Sequence, residues 1–220
     1  MASDFILDSD EHGEFCVIPL SGQQGKFFAK IDCCDFDDIG SYNWHLWSKS
    51  SCKTKYAIRN TRKNGRNTTI KMHRQILGVK EGVFVDHIDG DGLNNRRYNL
   101  RIATHTQNQW NMRPRGGTSQ YKGVCWHIRY KVWTVNLRYF KRRIWIAQFH
   151  KEIVNGVDIG EIRAAKAYDQ AARKYFGVFA RLNFPTEDEK EALRLIIAPH
   201  LEREPLEKGE KNGQTVCSAS

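Results

Sequence analysis

The residues best suited to chemistry lie in one stretch, VDHIDGDGLNNRRYNLRIATHTQNQWN, residues 85–111. It holds Asp86 and His87 side by side, Asn99 twelve residues after His87, and Asn108 nine further on. One carboxylate and one amide oxygen can hold a hard divalent cation, with an imidazole beside it. Phosphodiester hydrolysis needs those parts. The cation neutralises charge on a phosphate oxygen and on the leaving 3′ oxygen, while a base activates water for in-line attack. Histidine suits the base role, since its ordinary pKa of about 6.5 leaves a neutral nitrogen near neutral pH. Asn99 could fix the ring by accepting from its other nitrogen. Two oxygen ligands completed by water and phosphate suit Mg²⁺ better than zinc. Plainer readings stand beside these: Asp-His as a surface turn, Asn99 as a turn residue, DGDGLNN as loop composition. DGDG is not a calcium loop, because no Glu stands at the closing position. His45, His73, His105 and His127 read as structural or phosphate-contacting rather than catalytic.

These residues need two extended pieces and a helix to meet. Gly90 and Gly92 supply the turn between the extended pieces, and Thr104-His105-Thr106-Gln107 has the form of a capping box opening a helix that carries Asn108. Upstream, FCVIPL, KFFAKID, YNWHLWSK, KYAIRN and TTIKMH are short, β-branched and aromatic, and separated by turn residues. Asn64-Gly65 predicts a hairpin turn. From Met72 the pattern becomes helical and stops at Gly78. RPRGGTSQ (113–120) contains no apolar side chain apart from its Pro and is the expected domain boundary. Beyond it come three strand-like runs, YKGVCWHIR, VWTVNLRYF and RRIWIAQF. Trp133, Val135 and Leu137 alternate with Thr134, Asn136 and Arg138, so one sheet face is apolar and the other carries Arg, Asn and Trp. The Ala-rich helix IGEIRAAKAYDQAARKYFG, ending at Gly177, can lie against the apolar face. A short helix beginning after Thr186 and a polar tail, expected to be disordered, complete the chain.

The 220 residues carry 35 Lys+Arg against 25 Asp+Glu, a net charge of +10. Residues 1–52 have a net of −6, residues 53–115 of +10, residues 116–185 of +9 and residues 186–220 of −3. Two adjacent basic blocks are the electrostatic footprint of polyphosphate binding. Six cysteines without a CxxC pair indicate neither a zinc knuckle nor a disulfide framework. No apolar run reaches the roughly 18 residues of a membrane span, and the acidic N-terminus lacks a signal-peptide layout. A soluble, intracellular, cytoplasmic protein is expected.

MHRQILG, then VDHIDGDGLNNRRYNLRIAT, then an Asn on the next helix, resembles the HNH endonucleases over about residues 68–112, specifically the phage and intron homing type with a ββα-metal site. The resemblance implies His87 as general base, Asn99 as the residue that orients it, and Asp86 with Asn108 as ligands of Mg²⁺, with Mn²⁺ able to substitute. Asn108 stands where the family name has its second His, and the paired cysteines that hold a structural zinc in some relatives are absent. YKGVCWH, VWTVNLR, RIWIAQF, AAKAYDQAARKYFG and LNFP, in that order over about residues 119–185, resemble the plant APETALA-two/ethylene-response-factor DNA-binding domain. That likeness implies DNA contacts from Lys122, Asn136, Arg138, Arg143 and Trp145. Family arginines of the first strand fall on Cys125 and His127 here, and the next contact lies near Arg129, so His127 and Arg129 complete the set.

The expected fold is α+β. A β-rich region (1–67) leads into a ββα-metal module (68–112). After a linker (113–120) comes a three-stranded antiparallel sheet packed on one helix (121–185), followed by a short helix and tail (186–220). The expected function is site-specific cleavage of double-stranded DNA by a monomer or weak dimer, in a phage-infected host or on the nucleoid. The sheet docks in the major groove, and Arg59, Arg62, Lys63, Arg66, Arg96 and Arg97 line the phosphate track. The rival is a non-catalytic DNA-binding regulator carrying a degenerate nuclease module.

Overall fold

The computed structural model describes residues 6–22, 27–48, 54–114 and 116–197, and the side chains of 193–197 are not described. The expected disordered tail lies outside the described residues. The architecture is mixed α+β with several antiparallel sheets. Strands β1 (Ile6–Asp10), β2 (Gly13–Pro19) and β3 (Phe28–Asp32) form an antiparallel meander. A 3-10 turn and helix α1 (Phe36–Ile39) lead to a second sheet of β4 (His45–Ser48), β5 (Lys55–Lys63) and β6 (Arg66–Lys71). Asn64 and Gly65 both have positive φ, 51° and 74°, the geometry that lets an Asn-Gly pair close a hairpin between twisted strands.

Helix α2 (Met72–Ile76) follows β6 directly. Then β7 (Phe84–His87) and β8 (Leu100–Ala103) pair antiparallel, and α3 (His105–Asn111) packs against β7. The α3 capping box is present. Gln107 N donates to Thr104 Oγ1 at 3.2 Å, and Thr104 N donates to Gln107 Oε1 at 2.8 Å. The first core runs without a break through the β-rich region and the ββα unit. Ile18, Ala29, Ile31, Trp44, Ala57, Met72, Val85 and Leu100 all belong to it, so neither part closes its apolar surface alone.

Two ion pairs, the first buried on both sides and the second with a buried Arg96 on an exposed Asp10, pin these parts together. Arg97 meets Asp35, and its backbone N–H donates to Asp32 Oδ2 at 2.7 Å. Arg96 Nη1 and Nη2 donate to the two oxygens of Asp10, each at 2.8 Å. Two parallel N–H···O bonds are the geometry in which arginine holds a carboxylate most specifically.

In the C-terminal half, β9 (Val124–His127), β10 (Val132–Tyr139) and β11 (Arg142–His150) form an antiparallel sheet in the order β11-β10-β9. After the small hairpin of β12 (Ile153–Val154) and β13 (Val157–Asp158), α4 (Ile159–Phe176) lies across that sheet. Val124, Trp133, Val135 and Leu137 pack on Ala164, Ala165, Tyr168, Ala171, Ala172 and Phe176. Alanines permit this close approach, and Gly123 completes it. At φ +77° a Cβ there would lie 1.9 Å from the Tyr168 ring. Asp158 caps α4, accepting from Glu161 N and from Trp133 Nε1. Helix α5 (Glu187–Ile197) ends the described chain.

The two halves are packed on each other. Trp110 of α3 stacks on Phe176 at 4.7 Å and on Tyr139 at 5.7 Å between ring centroids. The Trp110 carbonyl accepts from Arg181 N at 3.3 Å and from Lys122 Nζ.

Candidate nuclease site

Asp86 and His87 end β7, and both are buried. A buried carboxylate needs partners to offset its lost hydration. Arg101, opposite Asp86 on β8, donates from Nε and Nη2 to Asp86 Oδ2 at 2.9 and 2.7 Å. Asn111, on α3, donates from Nδ2 to both Asp86 oxygens at 3.1 Å and to the His87 carbonyl at 2.9 Å. The same Arg101 reaches the C-terminal half. Its Nη1 donates to the Val178 carbonyl at 2.7 Å, and its guanidinium lies 4.2 Å from the Phe179 ring centroid. Burial pulls the Arg101 pKa down, against the pull of Asp86 upward.

The His87 ring sits between His73 of α2, edge-on at 4.8 Å, and Tyr56 of β5 at 5.8 Å. Burial lowers its pKa, opposed by a hydrogen bond to Asn95, so the imidazole is neutral near neutral pH. His87 Nε2 lies 3.3 Å from Asn95 Oδ1. An amide oxygen only accepts, so this contact places the proton on Nε2 and leaves Nδ1 with a lone pair. Asn99, expected to orient the ring, is engaged elsewhere. Its Nδ2 donates to Asp89 Oδ1 and to the Asn94 carbonyl at 2.9 and 2.8 Å, and its Oδ1 accepts from Asp89 N at 2.9 Å. Asn99 therefore closes the loop between β7 and β8, and Asn95 makes the contact expected of it.

Asn108 donates from Nδ2 to the Val85 carbonyl at 3.4 Å. Among the described residues no donor reaches its Oδ1. Asn108 and Asn111, three apart, share a helix face. That spacing was the available signal for Asn111, and the Asn94-Asn95 doublet was the one for Asn95. Asp86 and Asn108 supply hard oxygen donors of the kind Mg²⁺ takes, so the donor set fits a cation held by few protein oxygens and completed by water. Among the described residues no three His, Cys, Asp or Glu side chains converge as a metal cluster.

The expected DNA-contact residues divide by burial. Arg96 and Arg97, expected on the phosphate track, are instead buried in the pairs with Asp10 and Asp35. Arg59 Nε donates to Gln75 Oε1, and its guanidinium covers the Tyr42 ring. Arg62, Lys63 and Arg66 stand at the β5–β6 hairpin. In the C-terminal sheet, Asn136 lies opposite Trp145 and Arg138 opposite Arg143. Arg138, Arg143 and Trp145 are exposed, as are His127 and Arg129. Lys122 is mostly buried on the Trp110 carbonyl, and burial pushes its pKa down to about 7.

Among the described residues no hydrogen-bond partner reaches the buried His73 Nδ1, and burial, with repulsion from His87, pushes its pKa down to about 2. Above about pH 6.5 the imidazole is neutral whether the chain is folded or not. Below that, the unfolded chain binds a proton that the folded chain refuses, so stability is lost as pH falls. The loss continues until the folded chain also accepts the proton, at about pH 2. Urea unfolding at about pH 7.5, 6 and 5 should therefore show a shallower acid loss in His73→Phe than in wild type. Parallel profiles would contradict this.

A family model described as HNH endonuclease matches residues 72–110. Protein 3.8 of Escherichia phage T7 is 41% identical over 56 residues, 25% of this chain and 46% of that protein. The uncharacterised HNH endonuclease L560 of Acanthamoeba polyphaga mimivirus is 28% identical over 185 residues, 81% of this chain and 84% of its own length. An AP2-like ethylene-responsive transcription factor of rice, CRL5, is 39% identical over 82 residues, 34% of this chain but 12% of that protein. No solved structure matches. The match to the family model begins at α2 and ends in α3, enclosing Asp86, His87, Asn95, Asn99 and Asn108. Residues 72–110 are an HNH endonuclease-like module.

Proposed function

We propose that the chain is a metal-dependent DNA endonuclease whose C-terminal sheet holds the duplex while the ββα module cuts it. The observation that carries this reading is that Asp86 and His87 lie buried side by side at the end of β7, with Asn111 of α3 bonded to both the Asp86 carboxylate and the His87 carbonyl and Asn95 set against the imidazole. His87 Nδ1 takes the proton of an attacking water, whose oxygen bonds to phosphorus as the 3′ oxygen leaves. Asn95 keeps the ring in the tautomer that makes Nδ1 the base. Asn99 holds the loop that carries Asn95, and so acts through it. Asp86 and Asn108 would hold Mg²⁺, or Mn²⁺ in its place. Such an ion supplies charge neutralisation at the phosphate and leaving oxygen. Asn111 fixes the Asp86 carboxylate and the His87 backbone together.

For the reader, Arg138 and Arg143 stand as a cross-strand pair on the outer face of the sheet, next to the pair of Asn136 and Trp145. Guanidinium forks at strand spacing can reach guanine edges in a major groove, and a Trp can pack on sugars or thymine methyls. His127 and Arg129 extend that face. The rice relative is described as a transcription factor, which is consistent with duplex DNA as the partner.

The rival reading, a DNA-binding regulator, draws on the Arg101 contact, which neutralises Asp86. Supercoiled plasmid incubated with Mg²⁺ or Mn²⁺ discriminates between the two. Wild type should nick it, and His87→Ala should lose about 10²-fold or more in rate, the usual contribution of a general base. Binding without nicking by wild type, across several DNAs and both metals, would leave the regulator. Arg138→Ala and Arg143→Ala should each cost about 1–3 kcal/mol of duplex affinity if they read bases. Unchanged affinity would remove them from the interface.

A further inference from the structure

Arg113 and Arg181 come from opposite sides of the packed seam and meet on a single neutral atom. Arg113 Nη2 and Arg181 Nη1 donate to the carbonyl of Asp89 at 3.0 and 2.9 Å. Asp89's own carboxylate is engaged inside its loop, by Asn94 Nδ2 at 2.8 Å, Asn99 Nδ2 at 2.9 Å and Asp91 N at 2.7 Å. Among the described residues neither arginine has a carboxylate within 4.0 Å, although Arg96, Arg97, Arg101, Arg163 and Arg173 all do.

Two like charges on one carbonyl repel, and partial burial makes the arrangement costlier. Burial and the nearness of Arg113 both pull the Arg181 pKa down. The loop is nonetheless shaped to admit both side chains. Gly90 has φ +74°, and a Cβ there would come within 3.1 Å of Arg113 Nε and 3.3 Å of Arg181 Nη1. Each guanidinium has five N–H donors and spends one on Asp89, so most of each fork is unclaimed. Such a pair is complementary to a phosphate, which accepts bidentate arginine contacts.

Position narrows the ligand. Asp89 is two residues from His87, and Gly90 N donates to the His87 carbonyl at 2.9 Å. Arg113 also lines an open cleft of about 430 Å³ shared with Lys122, Asn136 and Arg138. The clamp therefore stands between the outer face of the sheet and the imidazole. We propose that Arg113 and Arg181 grip a backbone phosphate of duplex DNA, so that a duplex seated on the C-terminal sheet is led across the seam to His87. This rests on the reading of the protein as a DNA endonuclease and adds the phosphate contact that couples its two halves.

The test is the salt dependence of binding by the full chain to a fluorescent mixed-sequence duplex, in EDTA so that nothing is cut. Each phosphate contact steepens the plot of log affinity against log salt by about 0.9. The pair Arg113→Gln and Arg181→Gln keeps an N–H for the Asp89 carbonyl but loses both charges on the one phosphate, and should flatten the slope by about 0.9. Each single substitution should flatten it by about half as much, and Arg→Lys at both positions should keep it near wild type. Arg113 is exposed, so Arg113→Gln alone gives a variant expected to fold, and its melting temperature is measured alongside. A wild-type slope in the folded Gln variants overturns the clamp and leaves the endonuclease reading standing. A wild-type chain that fails to bind the duplex overturns both.

Discussion

A carboxylate buried beside a neutral imidazole must be neutralised from within the fold, and at Asp86 two groups do this. Arg101 arrives from the paired strand and Asn111 from the helix, so one charge fixes the relative placement of β7, β8 and α3. Desolvation of an ion costs several kcal/mol unless charge-assisted hydrogen bonds offset it. The local geometry of the ββα unit is therefore set by electrostatics as much as by packing. Because Arg101 also bonds the Val178 carbonyl, the same charge is tied to the C-terminal half. An incoming cation would compete with Arg101 for one of the Asp86 oxygens.

The same logic runs through the N-terminal region. Asp10 and Asp35 belong to its net negative block, Arg96 and Arg97 to the adjacent positive one, and in the fold these charges pair across the sequence. Removing Asp35 would leave the Arg97 charge buried and uncompensated, at a cost of about 3–5 kcal/mol. The acidic region thus serves as a counter-ion scaffold for the loop that carries the site. Basic charge left over at the β5–β6 hairpin, at the seam and on the outer face of the sheet remains available to a polyanion.

Local signals in the sequence were legible and long-range ones were not. The Asn-Gly hairpin, the capping box at Thr104 and the alternation of Trp133, Val135 and Leu137 each depend on neighbours a few residues away. The pairing of Asp86 with His87 and the helical placement of Asn108 were legible for the same reason. Which asparagine meets His87 was not. Asn94, Asn95 and Asn99 are all loop asparagines, and the loop path that presents Asn95 depends on Asn99 closing against Asp89. Arg96 and Arg97 read as surface cations because their carboxylates lie 86 and 62 residues away. Segment 113–120 has linker composition. Even so, Trp110 just before it and Lys122 just after it are bound into the seam, which no window of composition could reveal.

The central claim is that Asp86 and His87 form a cation-and-base site on DNA. Electron paramagnetic resonance of Mn²⁺ added to the full chain with a duplex tests it most directly, because occupancy is read without any turnover. The account predicts about one bound Mn²⁺ per chain, weakened roughly 10-fold or more by Asp86→Asn and retained in His87→Ala, since the carboxylate is a ligand and the imidazole is not. Mn²⁺ held equally well by Asp86→Asn would contradict it.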